Sequence, residues 1–141
     1  YIAENPSQMM LFQDMSYLRN LTFCLPRQID SWLRRRSIYR SLRRELTPEL
    51  GTVFDKDIRD LNAQEKYALI FRRVLLQQPR VVFFEQPFWG NDVLLQQHIE
   101  RQVQLLLAKK IAVVVLIVGI YDAFPLAERT LIYKNGHLLT Q

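Results

Sequence analysis

Apolar residues along this chain fall into two patterns, a recurrence every three or four positions over long stretches and two short unbroken runs. Ile29, Trp32, Leu33, Tyr39, Leu42 and Leu46 recur at roughly helical spacing, which predicts a helix that starts after Asp30 or Ser31 as cap and stops before Pro48 and Gly51. Tyr67, Ile70, Phe71, Val74 and Leu75 form a second stripe, with Arg72, Arg73, Gln77 and Gln78 opposite it. Asn62 and Glu65 stand three apart at its start, the spacing of a capping box, and Pro79 is its stop. Asp92 caps a third helix through Leu94, Leu95, Ile99, Val103 and Leu106, ending near Lys109 and Lys110, where positive charge suits the helix dipole. The unbroken runs, Val81 to Phe84 and Ile111 to Val118, are strand formers without polar alternation, as expected of parallel strands covered on both faces.

Weaker signals fill in the rest. Tyr1 to Leu25 reads as an extended loop passing into a short helix capped by Ser16 and closed by Pro26. Phe54 and Ile58 belong to a short helix or a loop. Ile120 to Glu128 reads as a short helix interrupted by Pro125, and Thr130 to Leu139 as a hairpin around Asn135-Gly136, the pair a type I′ turn favours. The later half therefore runs helix, strand, helix, strand, helix, hairpin, which is α/β organisation.

The length of 141 residues and a 49% hydrophobic content suit one compact unit that needs neither metal nor disulfide. The single Cys24 has no internal partner and is expected to be a small buried apolar residue of a reducing compartment. No apolar run is long enough to span a bilayer, and the first residues lack a signal pattern, so a cytoplasmic chain is expected. Because it opens on Tyr1, we expect it to be a piece of something longer. The net charge of +5 is concentrated at Arg34, Arg35, Arg36, Arg40, Arg43 and Arg44, read as a solvated helix face in preference to a nucleic-acid site. His98 and His137 have no spacing that points to metal ligation.

One succession of motifs goes further. Asp60-Leu61-Asn62-Ala63-Gln64-Glu65-Lys66, then Leu75 to Pro79, then Val81-Val82-Phe83-Phe84-Glu85-Gln86-Pro87, then Gly90-Asn91-Asp92 resembles the signature helix, Walker B strand and D-loop of an ATP-binding cassette (ABC) ATPase. Leu126 to Arg129 and Lys134-Asn135-Gly136 are similar to the family's usual ending. Glu4-Asn5-Pro6 with Leu11-Phe12 and Met15-Ser16 resembles its Q-loop and the entry to its helical subdomain. The resemblance implies a partial P-loop NTPase core with mostly parallel strands plus a helical subdomain. Residues 1–60 would form the Q-loop-like segment and helical subdomain, and 61–141 the signature helix, Walker B-like strand, H-loop-like strand and hairpin, in one continuous domain. The family's adenine-stacking aromatic and Walker A loop have no counterpart, since Gly51, Gly90, Gly119 and Gly136 lack the spacing of a phosphate cradle. The Walker A strand would flank the strand from Ile111 to Val118, so an exposed edge is expected there. Phe83 and Leu116 are expected side by side in a parallel core beneath the helix begun by Asn62.

By the same resemblance the signature falls on Asn62, Ala63, Gln64 and Glu65, where a helix N-terminus meets a partner's γ-phosphate and where Ala63 and Gln64 obstruct the close approach that glycines allow. Glu85 takes the place of the magnesium-holding aspartate, one methylene longer, and Gln86 that of the catalytic glutamate, with no carboxylate to accept a proton. The H-loop histidine falls on Val118 or Gly119, and the Q-loop glutamine on Glu4, with Ser7 or Gln8 in another register. Asp92 alone matches the D-loop outright. ATP and Mg²⁺ are implied as cofactors, not held by this chain alone. The implied partners are a second ABC ATPase domain and transporter membrane subunits, placing the chain at the inner face of the cell membrane as a hydrolysis-deficient partner. The competing expectations are a weakly active ATPase and a basic nucleic-acid or regulatory module on the same fold.

Overall fold

The structure is a computed structural model and describes residues 1–23, 32–88, 90–118 and 126–140. Its elements run α1 (Pro6–Met9), α2 (Tyr17–Thr22), α3 (Trp32–Leu50), two 3-10 segments (Gly51–Asp55 and Ile58–Asp60), α4 (Ala63–Leu76), β1 (Val81–Glu85), α5 (Val93–Ala108), β2 (Ala112–Leu116), β3 (Leu131–Lys134) and β4 (His137–Thr140). β1 and β2 pair in parallel with Phe83 opposite Val114 and Glu85 opposite Leu116. Parallel pairing needs a crossover, and α5 supplies it, giving a βαβ unit. This is a mixed helix and strand arrangement consistent with a partial α/β P-loop ATPase-like fold.

The caps fall where the side chains permit. Asn62 accepts from the Glu65 amide while Glu65 reaches back to the Asn62 amide, a complete capping box. Asp92 accepts from the Leu95 amide at 2.8 Å, and Ser16 caps α2. α3 departs from expectation by running through Pro48 to Leu50. Proline removes one amide near the end of the helix, where the chain tolerates the loss, and the turn is closed by Gly51 at φ +54°, a conformation that favours glycine. Pro6–Met9, read as loop, forms one helical turn with the proline at its start.

The core lies between α4, α5 and one face of the β1–β2 pair. Val82 and Phe84 are buried, and the Phe71 and Phe84 rings meet edge to face with centroids 5.7 Å apart. Leu69, Ile70, Ile99, Val103 and Leu106 complete it, together with Ile2, Tyr17 and Leu21 from the first residues. Ile2 joins the sheet beside β1: its amide donates to the Phe83 carbonyl at 2.7 Å and its carbonyl accepts from Glu85 at 3.0 Å. That pairing was not anticipated in a stretch read as loop.

Two expectations about the sheet are corrected. β1 is covered on one face, since Val81 and Phe83 are 42% and 44% exposed while the alternate residues are buried. Phe83 and Leu116 do not sit side by side under α4. Phe83 faces Val114 across the pair, and both project from the uncovered face with Leu116. The physical reason is the two-residue alternation of a strand: an apolar run supplies both faces, while α4 and α5 cover only one. Among the described residues β2 pairs with β1 alone. β3 and β4 form the anticipated hairpin, with Asn135 and Gly136 both at positive φ. The helix read over 120–128 lies outside the described residues except for 126–128, which are not helical. Cys24 and Gly119 also lie outside them.

Candidate functional site

The C-terminal ends of parallel strands are where open α/β sheets place ligands, because strand carbonyls and the following loops leave a crevice there. Glu85 ends β1 and Gln86 follows it in the left-handed conformation at φ +46°. The Gln86 amide donates to the Leu116 carbonyl at 2.8 Å, which extends the ladder one step beyond the strands. Its side-chain Oε1 then accepts from the Val118 amide at 3.4 Å. Gln86 and Val118 are thus brought together, and the amide oxygen of one is turned onto the backbone of the other.

Glu85 is half-buried, and its carboxylate accepts from the Tyr1 hydroxyl. That hydrogen bond, slight burial and the negative charges of Glu85 and then Glu4 push the Tyr1 phenol above its ordinary value. Glu4 and Glu85 thus both act on the Tyr1 phenol. Among the described residues no group of three or more His, Cys, Asp or Glu gathers to hold a metal ion. Two carboxylates and a phenol are a thin donor set for Mg²⁺, which prefers six oxygens in near-octahedral geometry.

The signature-like turn is largely satisfied from within. Burial alone would raise the Glu65 carboxyl, but the Lys56 ammonium at 2.8 Å and the Asn62 amide outweigh it and hold the group below the usual carboxylate range. Ala63 and Gln64 are exposed at the helix start, so their side chains stand where glycines would leave backbone open. The D-loop-like turn is tied to this helix from the side. Asn91 Nδ2 donates to the Pro87 carbonyl at 2.8 Å and to the Tyr67 hydroxyl at 3.3 Å, and Gln96 donates to the Asn91 carbonyl at 3.0 Å. Burial raises the Tyr67 phenol, and the Asn91 bond partly offsets this. Asp92 spends its carboxylate on capping α5.

Three partners were invisible to sequence reasoning. Tyr1 on Glu85 and Lys56 on Glu65 join residues far apart or on separate turns, and Tyr67 was legible only as part of an apolar stripe, its hydroxyl carrying no signal of its own. His137 is exposed after the hairpin turn. His98 is half-buried on α5, with its Nε2 buried and without a partner among the described residues. Among those residues no helix is long and apolar enough to cross a membrane.

No protein-family model matches the chain. Over 140 residues it is 26% identical to the lipopolysaccharide export system ATP-binding protein LptB of Acidithiobacillus ferridurans, an alignment that covers 99% of this chain and 56% of that protein. The chain thus spans about half the length of the curated relative it matches. That alignment, taken with the parallel β1–β2 pair and the helix, strand, helix, strand order around it, supports an ABC ATPase-like relationship and nothing finer.

Proposed function

We propose that this chain is the helical subdomain and later core of a degenerate ABC nucleotide-binding domain, hydrolysis-deficient and acting as a structural or regulatory partner in a transporter ATPase pair. The observation that carries the reading is Gln86, which stands in the catalytic glutamate's place with its side-chain oxygen engaged by the Val118 amide. An amide has no carboxylate to take a proton from water, and one turned onto the backbone is not aimed at a nucleophile. Val118 brings no imidazole. Glu85, engaged by Tyr1, keeps only the charge of the aspartate it replaces.

The residues present do not fit ATP with Mg²⁺ by themselves, because a phosphate cradle is missing from the sequence and the carboxylates are too few, so no hydrolytic step is assigned to them. In a head-to-tail pair, the partner domain would provide the cradle and the chemistry. This chain would provide the helix start at Asn62 to Glu65, the turn at Asp92, and contacts with membrane subunits at the inner face of the membrane.

The experiment is ATP turnover by the full-length protein before and after Gln86→Glu. We expect turnover at background in the unmodified protein and a measurable rise on restoring the carboxylate. Turnover of about 1 s⁻¹ or more in the unmodified protein, ordinary for an enzyme, overturns the reading.

A further inference from the structure

α3 carries a charge pattern that the nucleotide-related residues do not use. Arg36, Arg40, Arg43 and Arg44 stand at i, i+4, i+7 and i+8, and helical geometry puts them on one face. All four are exposed, in a row about 12 Å long at the rise of an α-helix. Glu45, five residues on from Arg40, is turned about 140° round the axis and so stands out of the row. Leu46 packs with Val53 against the core, which turns the arginines outward. Toward the end of the helix, Arg40, Arg43, Arg44, Thr47 and Pro48 form an open, nearly flat surface. It is mostly apolar, since the arginine stems, the threonine methyl and the proline ring build it and the charge sits at the stem ends.

We propose that this face of α3 rests on the headgroup plane of an anionic phospholipid membrane. The charge is complementary: a helix face with four or more arginines responds to the negative surface potential of such a membrane, and each cation within a Debye length adds about fivefold to partitioning. The four together supply roughly several hundredfold, enough for a reversible, salt-sensitive contact and well short of an anchor. Shape and chemistry decide between polyanions. A flat surface of apolar stems with cationic ends suits a plane of headgroups, where the stems lie along the boundary and the guanidinium groups reach phosphate. A nucleic-acid strand calls instead for an aromatic to stack its bases or neutral donors to reach their edges. Among the described side chains the face offers neither, because Tyr39 is half-buried with its hydroxyl taken by Thr22, and Thr47 donates its own hydroxyl to the Arg43 carbonyl. Arg43 already holds an anion, its Nη2 2.7 Å from Asp55 Oδ1, and both partners are exposed. An exposed pair of that kind is worth little, so at a headgroup plane Arg43 exchanges one anion for another at small cost.

The proposal is independent of the ATPase-pair reading, and its test measures no turnover. The whole chain is sedimented with vesicles of phosphatidylcholine alone, with vesicles of phosphatidylcholine mixed with phosphatidylglycerol, and with poly(U) RNA coupled to beads. Binding is expected on the anionic vesicles, is expected to fall steeply as salt rises from about 0.05 to 0.5 M, and is expected to drop roughly twentyfold with Arg40→Gln plus Arg44→Gln. Arg40→Lys plus Arg44→Lys should keep most of it, because a headgroup plane reads charge rather than the planar guanidinium fork. On the unmodified chain the anionic vesicles are expected to slow amide exchange over residues 36–48. Equal binding to neutral vesicles, as attachment through the open sheet face would give, overturns the proposal. So do tighter binding to RNA, an equal loss in the Lys and Gln variants, or protection that falls outside α3. The exchange measurement needs no substitution, so it stands even where a variant misfolds.

Discussion

Gln86 shows most clearly what one residue can record. Among the described residues Gln78, Gln86, Lys110 and Asn135 are the non-glycine residues at positive φ, and each stands where an element ends or a turn closes. At about 1 kcal/mol or more for a residue with a Cβ, that conformation persists only where the surroundings fix it. For Gln86 they do: the Leu116 carbonyl holds its amide and Val118 its side chain. The position of Gln86 was legible in the sequence, because its place after an apolar strand can be counted from Pro79. Its orientation was not, since the partner lies 32 positions away and only β1–β2 pairing brings the two together. His98 gives a residue-scale prediction. Burial, then the positive charges of Arg101 and Arg72, hold its imidazole below the ordinary value. The unfolded chain therefore takes up that proton first, near pH 6.5, and stability that is complete above this pH declines as pH falls below it. Thermal melts at pH 7.5 and 5.5 are expected to show a loss at the acid value that is smaller in His98→Gln, whatever the absolute stability of the variant. An equal loss in both chains would assign the effect elsewhere.

Elements were the most legible level, because helix starts and stops are written in a few adjacent residues. The Asn62–Glu65 box, the Asp92 and Ser16 caps and the Asn135-Gly136 turn could each be located by spacing, and each is present. The end of α3 could not: the sequence offers both Pro48 and Gly51 as stops, and a proline near a terminus costs only one hydrogen bond. Asn62→Ala is expected to destabilise the chain by about 1 kcal/mol in urea unfolding. Glu65→Ala should cost more than Asn62→Ala, because it also strips Lys56 of its partner. The double variant should fall short of the sum, the two side chains having served one turn. Additive losses would mean that the box is no cooperative unit.

At the scale of the whole molecule, the uncovered sheet face governs behaviour. Phe84→Ala removes a fully buried ring packed on Phe71 and is expected to cost about 3–5 kcal/mol. Phe83→Ser, one position away on the open face, should cost under about 1 kcal/mol. It should also reduce self-association in sedimentation, because Val81, Phe83, Val114 and Leu116 together form an exposed apolar surface beside a β2 edge that pairs with no strand among the described residues. Comparable destabilisation by the two substitutions would show both faces to be covered in solution. The amino-acid sequence by itself determined α4 and α5, the Asn62, Asp92 and Ser16 caps and the hairpin turn, since all of these depend on residue type and short-range spacing. Tertiary structure alone decided that Ile2 pairs with β1, that Tyr1 answers Glu85, that Gln86 closes on Val118 and that one sheet face stands open. Those outcomes join residues tens of positions apart, and an unbroken apolar strand looks the same in sequence whether one of its faces is covered or both.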